Sequence, residues 1–247
     1  VLEAIIDNIR NDARVREVRR GLFWTAVISR HCGLSSTMVR ESCLDTDKQR
    51  THLASLTQKP AIELAHLSFS EEISEASLGL AAINSLVDIN PHRCIEINAS
   101  ELLLHIGREK NVSVIGHFPF TEALRKVTKS LWVIEKWQRP GDYPEQDAQI
   151  YLPQSDIIAI SSTTLINHTF TDLLQMCSNK SIKMLLGPTT PMTEVLFDHG
   201  IDLISGSQVV DEKIVLQYIS EGANFRQLKS TGGIKLLTMV SNDYIHR

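Results

Sequence analysis

The stretch VSVIGHFPF, Val112 to Phe120, decides how this chain is read: a short apolar run stops at Gly116 and opens into a loop that leads to a predicted helix. In a nucleotide-binding α/β domain, strand, glycine turn and helix in this order make the loop that faces a phosphate or cofactor. About twenty residues on, the spacing at which such folds set a carboxylate on a ribose, the run Leu131 to Ile134 ends in Glu135. One glycine instead of GxGxxG leaves the ligand class open.

Toward the C-terminus, apolar runs recur at Ile157 to Ile160, Met184 to Leu186, Leu203 to Ile204 and Ile234 to Val240, with amphipathic segments of helical length between most of them. This alternation predicts a parallel sheet with right-handed crossovers, a Rossmann-like α/β domain over residues 98–247. Thr190-Pro191 reads as the start of a helix stopped by Gly200, and Asp211 as the start of one stopped by Gly222.

Residues 1–97 read as a smaller α+β domain, with the boundary near Ile97. Leu2 to Arg10 has helical spacing, and Val15 to Ile28 forms two extended runs meeting at Arg20-Gly21. The polar segment Arg30 to Lys59 is expected to be loop with a short helix. Pro60 suits a helix start, and Ser68 with Glu71 a capping box before Glu72 to Val87, a helix expected to pack on the hairpin. Ser100 reads as the N-cap of a helix through Ile106.

Composition narrows the function classes. Of 247 residues, 43% are hydrophobic and 22% charged, as in an ordinary globular protein, and the net charge of -4 lacks the positive excess of a nucleic-acid binder. The basic run RVREVRR, Arg14 to Arg20, alternates like an exposed strand. No window approaches the roughly 18 apolar residues that span a bilayer, so neither membrane nor nucleic acid is an expected partner, and a cytoplasmic protein is expected. Cys32, Cys43, Cys94 and Cys177 show neither CxxC pairing nor zinc-finger spacing, which argues for free thiols and against a built-in metal site. His31 and Cys32, being adjacent, would point oppositely on an extended chain.

Ligands of open α/β sheets sit beyond the carboxyl ends of the strands. The residues that follow the runs are Gly116, His117, Phe118 and Pro119; Glu135; Ser161 to Thr164, with Asn167 beyond; Gly187, Pro188, Thr189 and Thr190; and Ser205 with Gly206. Glycines, hydroxyls and helix N-terminal amides suit an anionic or hydrogen-bonding ligand. His117 and Glu135 are the candidate catalytic residues. Gly116, Phe118, Pro119, Glu135, Ser162, Thr163, Gly187, Pro188, Thr189 and Thr190 are candidates for cofactor binding, and Gly33, Asn167 and Gly206 for substrate. Each has a plainer alternative: Gly116 and Gly187 as sharp strand turns, His117 as a surface histidine, Glu135 as a partner of Lys136 or Arg139, Thr190 as a helix cap. Trp132 and Trp137 would stack on a ring or pack at an edge. No GxSxG elbow follows a strand.

VIGHFPF, EKWQRPGDY (Glu135 to Tyr143) and GPTTPMTEVLFDHGIDLISG (Gly187 to Gly206), with SLGLAAINSL (Ser77 to Leu86), together resemble the bacterial and archaeal family described as putative heavy-metal chelation proteins. The resemblance implies an enolase-N-terminal-like domain followed by a Rossmann-like domain, with a site at their junction. It also implies a role in making or processing a pterin-, flavin- or siderophore-like chelator, any metal belonging to that product. An adenine-containing cofactor such as S-adenosylmethionine, and a small-molecule partner that is a metal chelate or its precursor, are the corresponding expectations. A carrier of such a chelate, a methyltransferase, and a homodimeric assembly are the alternatives left open. Where the family's first domain implies a glycine-rich stretch after its hairpin, this chain has Arg30-His31-Cys32-Gly33, so only Gly33 matches.

Overall fold

Runs of valine, isoleucine and leucine too short to close a helix become strands. The computed structural model describes residues 1–38 and 56–245. In chain order the first half supplies α1 (Leu2–Asp7), β1 (Glu17–Arg20), β2 (Trp24–Ile28), β3 (Cys32–Ser36), α2 (Ala61–Ala65), α3 (Ile73–Leu86) and β4 (Cys94–Ile95). The second half supplies α4 (Ala99–Ile106), β5 (Asn111–Ile115), α5 (Thr121–Arg125), β6 (Ser130–Ile134), α6 (Ala148–Tyr151), β7 (Ile157–Ser161), α7 (Phe170–Met176), β8 (Ile182–Leu186), α8 (Val195–Asp198) and β9 (Leu203–Val209). It closes with α9 (Glu212–Ser220), α10 (Phe225–Ser230), β10 (Ile234–Val240) and α11 (Asn242–Ile245).

These strands build an antiparallel sheet β1-β2-β3 and a larger sheet in the order β4-β10-β9-β8-β7-β5-β6. From β6 to β9 the larger sheet is parallel, in the doubly wound order whose first and third strands, β5 and β7, flank the topological switch point. The fold is thus the expected α/β sheet preceded by a smaller α+β unit. The expectation of a wholly parallel sheet needs correction: β10 pairs antiparallel with β9, and β4 antiparallel with β10. Val209 lies opposite Ile234, so β9 and β10 form a hairpin. Its connection carries α9 and α10 away to cover the small sheet instead of crossing back over the large one.

Period-two alternation divides the cores. Ile158, Ile160, Leu185 and Ile204 join α3 and Val27 in one cluster, while Val112, Val114, Ile157, Ala159, Met184 and Leu203 join Leu103 and Leu124 in another. On the small sheet, Trp24, Ala26, Ile28 and Leu34 turn to the opposite side from Val27 and pack on Val215, Leu216 and Ile219 of α9 and Leu228 of α10. The small sheet is therefore covered on one face by α3 and on the other by helices some 190 residues downstream in the chain.

Several local expectations change. β3 occupies part of the segment read as loop from Arg30 onward, because Gly33 lets it lie against the α3 backbone: a Cβ there would come within 2.2 Å of Ala81 O and Ser85 N. The rest of that expectation, including the short helix, falls largely outside the described residues. Ser68 does not cap α3; the Ser70 hydroxyl accepts the Glu72 amide at 3.1 Å and donates to Glu75 at 2.7 Å. Asn98, not Ser100, caps α4, accepting the Ser100 amide at 3.1 Å. The helix read from Thr190-Pro191 begins only at Val195. β1 is an edge strand as the charges implied, yet Val15 ahead of it is fully buried.

Candidate functional site

Beyond the carboxyl ends of β7 and β8 lies a cleft of about 540 Å³. The ends of β7 and β8 and the loop after β5 supply Phe118, Pro119, Ser161 to Thr163 and Gly187 to Thr189; Ser205 and Gly206, read from sequence as following a strand, lie within β9; the small sheet adds Trp24 and Ser36; α4 adds Asn98 to Ser100; and α10 adds Phe225, Arg226 and Lys229. The small sheet is held in place at this edge. Ser36 N donates to Thr189 Oγ1 at 2.9 Å, and Asn84 Nδ2 donates to Leu34 O at 2.7 Å and Thr189 O at 2.9 Å.

Aromatic pairs shape the walls. Phe118 stacks on Phe120 with centroids 5.1 Å apart, and Trp24 meets Phe225 at 5.5 Å. α10 is fixed by a reciprocal capping box in which Asn224 Oδ1 accepts Gln227 N and Gln227 Oε1 accepts Asn224 N. Two buried polar groups in the lining have no partner among the described residues: the Trp24 indole N–H and the Ser162 hydroxyl. Trp24 is 8% exposed and Ser162 1%. Such groups normally find a hydrogen bond.

A second recess of about 310 Å³ opens on the other side of Ser161 and Thr163, which line both spaces. It receives Gly116, Glu135 and Asn167, together with Lys136, Trp137 and Asp172. Glu135 Oε1 accepts the Lys136 amide at 2.8 Å. A third, smaller recess of about 120 Å³ holds Gly33, Pro188 and Thr190 beside His31, Cys32 and Asp88.

The candidate residues therefore divide. Phe118, Pro119, Ser162, Thr163, Gly187, Pro188, Thr189 and Gly206 meet in the large cleft; Gly116, Glu135 and Asn167 face the second recess; Gly33 and Thr190 face the third. His117 lines none of them and instead places Nδ1 3.2 Å from Asp142, whose side chain is almost wholly buried. Thr190 caps no helix; its hydroxyl is buried without a partner among the described residues. Trp132 stacks on Tyr151 at 5.0 Å, whereas Trp137 is 79% exposed. Sequence reasoning missed Trp24, Ser36, Asn98, Arg226 and Lys229. The spacing of Asn224 and Gln227, which fits a capping box, is a signal that could have located α10, but nothing local says what that helix faces.

With this architecture, a doubly wound sheet bearing a cleft beside the small sheet, the chain falls in the class of doubly wound α/β folds. It belongs to the family described as "Putative heavy-metal chelation": one model of that description matches residues 98–238, and a companion model of the same description matches residues 2–87. It is 31% identical to an uncharacterized protein of Methanocaldococcus jannaschii over 188 residues, 72% of this chain and 70% of that protein. A crystal structure of a family member of unknown function from Desulfitobacterium hafniense superposes with TM-score 0.85 at 27% identity, over 97% of both chains. Another from Pyrococcus horikoshii, with TM-score 0.78, 20% identity and coverage of 97% of this chain and 98% of that one, shares the fold.

The donors among the described residues do not gather into a site that fits a heavy-metal ion. Among the described residues there is no group of three or more His, Cys, Asp or Glu able to hold one, and no carboxylate, imidazole or thiol lines the large cleft. The Cys32 thiol, in the smallest recess, is pushed by burial up to about 12, and burial raises Cys177 to about 11. Both are poor sources of the thiolate that soft metals require. No helix among the described residues is long and apolar enough to cross a membrane.

Proposed function

We propose that the protein binds a small organic molecule with a flat apolar part in the cleft between its two sheets. The observation that carries this reading is the lining: aromatic side chains, hydroxyls, an indole N–H and two cations, with no acid, imidazole or thiol among the described residues. That set recognises a ring and its polar substituents, and it offers no ordinary proton-transfer residue. Its volume is of the size that encloses a drug-sized ligand, roughly 300 to 1,000 Å³. A chelator or its precursor answers this description, and any metal then belongs to the ligand. Binding or carrying is favoured over catalysis.

The test is thermal unfolding of the full chain with aromatic heterocycles, S-adenosylmethionine, metal chelates and free metal ions. A ligand at a hundred times its Kd stabilises by about 2.7 kcal/mol, which is readily seen. Stabilisation by an organic ligand, lost in Ser100→Trp, which fills the cleft from its wall, is the expected result. Stabilisation by free metal alone overturns the reading. A catalytic reading rests on the wall shared by the two recesses at Ser161 and Thr163. A substrate spanning it would reach Glu135, and Glu135→Gln would then abolish turnover at unchanged affinity.

A further inference from the structure

We infer that the ligand of the large cleft carries a dianionic phosphomonoester, seated between Arg226 and Lys229 of α10 and the first turn of α4. This rests on the cleft being the binding site and specifies what the site selects. The first observation is the state of the two cations. Some basic side chains elsewhere are neutralised by ion pairs, as Arg16 is by Glu212, Arg30 by Asp88, Arg93 by Glu194 and Lys235 by Glu96, but what marks the pair on α10 is that both face one cleft. Arg226 and Lys229, three residues apart on α10, both line the cleft, and neither has an ion pair among the described residues. Like charges one turn apart repel. In a chain of net charge -4, two cations converging on a space without a carboxylate define a site for negative charge.

The second element is α4, eight residues long, whose N-terminal residues Asn98, Ala99 and Ser100 line the same cleft. The positive end of the helix dipole favours an oxyanion, although the Ser100 amide is already bonded to Asn98. The third is independent of both. The Trp24 indole N–H can only donate, and it is buried without an acceptor beside the cleft, as is the Ser162 hydroxyl. Unused donors in the same lining as two cations call for a ligand rich in acceptor oxygens. Arg226 supplies a planar fork and Lys229 a point charge, the two ways in which proteins hold phosphate. The stacked pair Phe118 and Phe120 leaves the remainder of the ligand an apolar wall.

The experiment is calorimetric titration of the full chain with phenyl phosphate, benzoate, phenol and inorganic phosphate. The wild type is compared with Arg226→Gln, Lys229→Gln, the double variant, and Lys213→Gln as an exposed control on α9. The expected order is phenyl phosphate at least tenfold tighter than benzoate or phenol. The double variant should lose tenfold or more for phenyl phosphate, with phenol unchanged, and Lys213→Gln should leave every affinity as it was. Thermal unfolding of each variant shows that the fold is retained. Phenyl phosphate binding no better than benzoate, or weakened equally by Lys213→Gln, overturns the phosphomonoester assignment while the cleft reading stands. Binding of none of the aromatic probes defeats both.

Discussion

Two adjacent serines at the end of β7 should respond to alanine with opposite signs. The Ser162 hydroxyl is buried and has no partner among the described residues, a condition that costs about 1–3 kcal/mol. Removing one oxygen leaves a negligible cavity, and the group faces Gly187, where an added Cβ would stand 2.8 Å from it. Taking the low end of that range, Ser162→Ala should stabilise the free protein by about 1 kcal/mol, an increase in Tm of roughly 2–4 °C for a chain of this size. The Ser161 hydroxyl, by contrast, lies 2.8 Å from Thr163 Oγ1 and accepts the Thr163 amide at 3.4 Å. Ser161→Ala should therefore destabilise by about 1 kcal/mol, the usual cost of a lost cap. Urea unfolding of the wild type and the two variants measures the difference directly. Destabilisation in Ser162→Ala comparable to that in Ser161→Ala would mean the hydroxyl has a partner in the free protein, and the argument for an unmet donor would fall with it.

Two other perturbations test the architecture. Gly33→Ala would drive a methyl into the backbone of α3, which cannot rotate aside as a side chain can, so a loss at the upper end of the roughly 1–3 kcal/mol for overpacking is expected; an unchanged urea midpoint would refute the close approach. Asp88 is held below the usual carboxylate range by hydrogen bonds first from Arg30 and then from His31. Its contribution is therefore present above the unfolded pKa near 4 and is lost as pH falls through the lower folded value. The group is half exposed, so that contribution is below about 1 kcal/mol. Asp88→Asn should flatten the fall in urea midpoint between about pH 5 and pH 3, and parallel curves for the two proteins would count against the assignment.

The parallel strands were legible because each is a short apolar run set off from the next by a segment long enough to cross back over the sheet. β3 was not legible, since CGLSS carries little apolar signal, and its place depends on a glycine meeting a helix some 50 residues away. The reversal at β10 was hidden for a related reason: α9 and α10 have ordinary amphipathic and capping signals, which do not say whether they cross over a sheet or depart to cover another one. Strand-end loops could be named as a rim because the topology dictates where a rim lies. Arg226 and Lys229 enter that rim from outside the sheet, and His117, though adjacent to Gly116, turns away to Asp142. Local sequence locates a residue on its element; it does not supply the partner that the element meets.

Covering the small sheet with helices from the far end of the chain also constrains how the protein is made. While the polypeptide emerges from the ribosome, β2 and β3 can pair and rest on α3, but Trp24, Ala26, Ile28 and Leu34 still present an apolar surface to water. That surface stays bare until α9 and α10, ending at Ser230, have been synthesised. The nascent protein thus stays vulnerable to aggregation while the residues between the small sheet and α9 are made, and the wall that holds Trp24 beside the cleft is completed only once α10 has been synthesised.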